Sequence, residues 1–239
     1  MTRSLATVAL LLLPLSFAHA DPPAPAPATS PEDLTAQLEA LQAKPESADV
    51  LAAQARLHHY LAERADSRSD RRRHRKAGLE AATRALALED GHPSALMWWT
   101  AHRGAEATAL NPFAAIRIAE EVERTMTKLL NLAPEHDHGA ADRVLGRLYH
   151  LAPSSLSVGS KAKARKHLEA AMKRAPHFPG NQLFYAEFLL SEDGDCKKAR
   201  ALAQEVADAK EKSAKAFPLD ADAWQRAASE LLDKTGACR

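Results

Sequence analysis

Five cations fall within six positions of "SDRRRHRKAGLE": Arg71, Arg72, Arg73, Arg75 and Lys76, with His74 among them. Guanidinium groups grip carboxylates and phosphates through paired, parallel hydrogen bonds. The run is therefore a nucleic-acid grip, an anion site, a docking patch for an acidic partner or an anionic membrane surface, or a solvated helix face. A second basic set lies in "DRVLGRLYH", with Arg143, Arg147 and His150 at steps of four and three. That spacing puts all three on one helical face, where an acidic small molecule or a peptide C-terminus would fit. The alternative is a solvated face paired with local acids. Trp98 and Trp99 are adjacent, so a helix points them about 100° apart. Trp99 is expected in the core. Trp98 is expected on a flank, where it lines a ligand wall or packs on the next helix; packing is the simpler reading for both rings, and Arg103 lies one turn from Trp99, within stacking reach.

No set of residues offers catalysis. The chain lacks G-x-S-x-G, a glycine-rich phosphate loop and H-E-x-x-H. Cys196 follows Glu192, Asp193 and Asp195, whose charges raise a thiol pKa and so disfavour a nucleophile. The pair His136 and His138 needs further ligands to hold a metal, and a polar turn is the simpler reading. The expectation is a non-enzyme with no cofactor and no metal.

The start of the chain reads as an export signal. Arg3 supplies a positive n-region, Leu5 to Ala18 an apolar core, and Ala18-His19-Ala20 the small residues of a cleavage site. Residues 21–45 are then a Pro/Ala-rich linker and short leading segment, and the periplasm or the exterior is the expected location. The whole chain holds 32 basic and 31 acidic side chains. Residues 1–20 contain only Arg3 among these, so a cleaved chain is neutral. Nucleic-acid binders carry a clear basic excess, so nucleic acid is not an expected partner and membrane contact is at most peripheral. In an exported chain, Cys196 and Cys238 most simply form one disulfide. It would close a loop of about 42 residues, worth roughly 4 kcal/mol in the chain-entropy account. Two separate thiols are the alternative.

The frame that must hold these residues is helical. Aromatic residues are 5% of the chain, alanine is abundant, and no alternating β-branched run occurs. Repeats at helical-hairpin spacing run over residues 46–239. "AKARKHLEAAMKRAP" places Ala164, Leu168, Ala171, Met172 and Pro176 as in the second helix of a tetratricopeptide repeat. "EVERTMTKLLNLAP" and "AGLEAATRALALED" repeat the steps, the latter with Gly78 at the small position. "VLGRLY", "LFYAEFLL" and "DADAWQRAASELL" supply first-helix patterns. The fold class is all-α, an α-solenoid of divergent tetratricopeptide-like hairpins with a C-terminal capping helix.

On these motifs the chain resembles tetratricopeptide-repeat proteins. More narrowly, it resembles the TRAP transporter T-component family. The likeness rests on the leader ahead of a short repeat chain, on the order of a "WW-x-A" helix, a long helix and "LGRLY", and on the turn at Val158-Gly159-Ser160. It implies an exported protein that works beside a periplasmic substrate-binding protein, assisting transport of small organic acids. A general cell-envelope scaffold with no small ligand is the competing expectation, and oligomers are compatible with both.

Overall fold

A computed structural model describes residues 30–107 and 111–236. Among them are eleven α-helices, one 3₁₀ turn and one π turn, and no strand. The expected leader and cleavage site, and Cys238, lie outside the described residues.

Local chemistry sets many of the helix starts. Ser30, Ser47, Ser67, Asn111, Ser160 and Asp195 each accept the backbone N–H three residues on. A side-chain cap of this kind is worth about 1 kcal/mol. Pro31, Pro112 and Pro179 occupy first-turn positions that need no donor. Asp195 follows Gly194, which lies in the left-handed region at φ 66°.

The chain divides into two compact units. The first holds α1 (Pro31–Gln42), α2 (Ala48–Arg64), α3 (Arg68–Leu88), α4 (Pro93–Ala107) and α5 (Pro112–Leu132). Successive helices pack on one another, and α2 also meets α4. This is the hairpin stacking expected of tetratricopeptide-like repeats. Helix α1 falls where a linker and short leading segment were expected. Leu34 and Leu38, one turn apart, are buried, and α1 packs on α2. Helical structure is thus already present from Pro31, ahead of residue 46.

Three helices meet at Gly78. A β-carbon there would lie 2.1 Å from Nε2 of His102 on α4. That nitrogen is 2.9 Å from the Ala55 carbonyl on α2, so the ring is held in place. Burial pushes His102 down to about 4, and His59 well below its ordinary value. Both rings are neutral at pH 7. Trp98 is fully buried, with its ring centroid 5.3 Å from His59 and 6.0 Å from Tyr60. Trp99 is the partly exposed one. Trp98 thus takes the packing role open to it, because α4 turns it toward α2, while Trp99 is the less buried of the two. Trp98 is core and lines no ligand wall.

The second unit holds α6 (Ala140–Leu151), α7 (Lys161–Arg174), α8 (Pro179–Phe188), α9 (Cys196–Asp208), α10 (Lys210–Ala216) and α11 (Ala221–Gly236). Gly146 of α6 lets Leu168 of α7 approach to within 2.6 Å of where a β-carbon would sit. Helix α11 packs on α9 and α8 as the terminal helix. Its Trp224 joins Phe178 and Phe217, each 5.3 Å away between ring centroids.

Gly78→Ala is expected to overpack the α2–α3–α4 junction, because His102 cannot swing aside without leaving the Ala55 carbonyl. The loss should be about 1–3 kcal/mol of unfolding free energy, read by urea denaturation. An unchanged denaturation midpoint would show that the junction is looser than described.

Candidate functional site

The basic run takes its orientation from the start of α3. Ser67 is the cap, and its hydroxyl also donates to Asp70 at 2.6 Å. Asp70 is the third helical residue. This register places Arg68, Arg72 and Lys76 in one row at four-residue steps, with Arg71 and Arg75 in the adjacent row. These five residues line an open cavity of about 880 Å³. Arg103 and Glu106 of α4 line it as well.

The run does not act as one block. Arg73 pairs with Asp70 at 3.0 Å and does not line the cavity. His74 contacts His58 of α2, ring nitrogen to ring nitrogen at 3.0 Å. Arg71 donates to the Ala65 carbonyl at 2.9 Å, and Arg75 meets Glu63 at 3.3 Å. Arg103 is held by Glu106 at 2.6 Å and by Glu121 of α5 at 2.7 Å. It does not depend on Trp99 for its position. The Glu121 bond raises its pKa, so its charge is secure. Arg68, Arg72 and Lys76 have no carboxylate partner among the described residues. Four of the five cations of the run line this open cavity, joined by Arg68 and Arg103.

The second basic set, expected to line a groove, is internal to the second unit. Arg143 is fully buried. Its Nη2 donates to the Asp137 carboxylate at 2.6 Å, and its Nη1 to the Asp137 carbonyl at 3.1 Å and to Asn181 Oδ1 at 3.2 Å. The guanidinium also sits over Phe178, 4.7 Å from the ring centre. Burial lowers its pKa, and Asp137 opposes that loss of charge. Asn181 completes the knot by donating to the carbonyls of Ala171, Ala175 and His138. Asp137, read from sequence as part of a polar turn, has φ 45° and is buried.

Arg147 pairs with Glu187 and stacks on Phe184, 4.1 Å from its centre. His150 bonds to Ser191 at 2.9 Å and lies 3.7 Å from Glu192, and burial lowers its pKa. The three residues share α6, as the spacing predicted, but each already has a partner. They form struts rather than an open anion site. Among the described residues, no three His, Cys, Asp or Glu side chains are placed to hold a metal.

Asp137 and Asn181 were missed from sequence. Asn181 had one available signal: it is a polar residue in the first turn of the largely apolar "PGNQLFYAEF" helix. Arg143→Ala should strand the buried Asp137 carboxylate and cost about 3–5 kcal/mol. Urea denaturation followed by circular dichroism checks this. Arg73→Ala, which breaks an exposed pair, is expected to cost less than about 1 kcal/mol.

A family model for the TRAP transporter T-component matches residues 26–237. No curated protein matches the sequence. The match runs through both helical units, and the family is one associated with TRAP transporters. Tetratricopeptide-like hairpins in the order read from the sequence agree with it, and the chain belongs to the TRAP transporter T-component family.

Proposed function

We propose that this chain is an exported, periplasmic, non-enzymatic component of a TRAP transport system. It docks on the substrate-binding protein and assists the handling of small organic acids. The observation that carries this reading is the family match over residues 26–237. Stacked helical hairpins suit such a role, because they present broad surfaces to other proteins. Several ionisable side chains that might have served catalysis support a structural use instead. Arg143 holds Asp137, Asp142 bonds His167 at 2.7 Å and Arg174 at 2.9 Å, and His102 meets the Ala55 carbonyl. Among the described residues, no helix is long and apolar enough to cross a membrane. Any membrane contact in this reading is peripheral.

The test is gel filtration and chemical cross-linking of the chain with the substrate-binding protein of its transporter, empty and loaded with an organic acid. A specific complex in at least one loading state is the expected result. No complex in either state at micromolar concentrations overturns the docking role and leaves the scaffold reading.

Export also implies oxidation. Cys196 opens α9, and we assign it to a disulfide with Cys238. Thiol titration of unreduced, exported protein should find no free thiol, and two per chain would refute the pairing.

A further inference from the structure

We propose that the α3–α4 cavity of the first unit is a binding site for a small polyvalent oxyanion. The ligand carries at least two carboxylate or phosphate groups held apart by its own framework. This inference stands on the cavity and does not depend on the transporter association.

The row Arg68, Arg72 and Lys76 spans eight residues, or about 12 Å of helix. A single-headed anion would leave most of that row unmatched. A ligand with separated anionic groups can engage several cations together. The cavity, at about 880 Å³, lies within the range of about 300–1,000 Å³ usual for small-molecule sites. Arginine dominates the lining, and its planar fork suits the paired oxygens of carboxylate and phosphate.

Part of the site is held in place before any ligand arrives. Arg71 is tied to the Ala65 carbonyl, Arg75 to Glu63, and Arg103 to Glu106 and Glu121. Fixed donors lose less freedom on binding. Arg68, Arg72 and Lys76 carry the cationic charge that has no carboxylate partner among the described residues.

The fold has no need of those three charges. Like charges at four-residue steps destabilise a helix, and cations near its N-terminus oppose the helix dipole. What fixes α3 in the unit is its buried face of Gly78, Ala81, Ala82 and Ala85. A polyanion at the cavity would neutralise the repulsion and favour the same helix end. The attraction is local, because the whole chain carries a formal net charge of only +1.

Isothermal titration of the full chain with citrate, pyrophosphate and acetate tests the assignment. Binding of citrate or pyrophosphate, with acetate much weaker, is expected. Citrate alone would make it a carboxylate site, and pyrophosphate alone a phosphate site. Arg72→Glu should weaken binding by at least about tenfold, the loss of one charge-assisted contact. Arg73→Glu makes the same change in net charge outside the cavity and should alter binding by less than about threefold. Both positions are exposed, and circular dichroism confirms that the variants fold. The proposal fails if neither polyanion binds at millimolar concentration. It fails equally if the two variants lose binding to the same extent, which would mark diffuse charge attraction. Binding of polyglutamate with no binding of either small polyanion also overturns it, in favour of a surface for acidic protein segments.

Discussion

Helices in both units meet through side chains small enough to let one backbone lie against the neighbouring side chain. Gly78 receives the ring of His102, and Gly146 receives Leu168. Around them, Ala82, Ala85, Ala164, Ala171, Ala199 and Ala203 are completely buried. A core built this way gains dispersion contacts from proximity rather than from large side chains, which fits a chain with few aromatics. It also leaves little room for adjustment. A group that enters such a contact must fit and must have its polar atoms satisfied.

That constraint explains how the interior treats charge. Arg143 is enclosed only together with Asp137 and Asn181, and Asn181 ties the same knot to three backbone carbonyls. For Asp142, burial alone would raise the carboxyl pKa, but bonds to His167 and Arg174 outweigh it and hold the group below its ordinary range. The histidines around Gly78 take the other route and are neutral. In each case a buried ionisable group is paired or uncharged. The cavity-facing side of α3 departs from this pattern, with several cations together and few acids.

Much of the frame was legible in the sequence because its signals are local. Helical periodicity and small residues at hairpin spacing both act within a few residues. What escaped depends on distant partners. Helix α1 carries Leu34, Leu38 and Leu41 at helical spacing, but it is short and directly follows a proline-rich stretch, and its burial depends on packing against α2. Which of Trp98 and Trp99 is the more deeply buried was not legible, because one residue of rotation decides which ring meets His59 and Tyr60. The α6 spacing correctly put Arg143, Arg147 and His150 on one helix. It could not show that Asn181, Glu187 and Ser191, about 40 residues later, would already occupy them. The cavity was hidden for the same reason, since Arg103 and the basic run are brought together only by the packing of α3 on α4.

Helix α3 joins the two themes along its length. From Gly78 onward its buried face is glycine and alanine, and the helix lies tightly against its neighbours. Before Gly78 the residues turned toward α4 are long and cationic. Arginine cannot make the close contact that Gly78 makes with His102, and repulsion resists crowding its guanidinium groups together. The pattern that closes one end of the α3–α4 hairpin therefore changes, within a single turn, to one that holds the other end open. The fold could have continued the alanine face to the first turn of α3, with better helix propensity and no repulsion. It is where this local rule is broken that the proposed anion site stands.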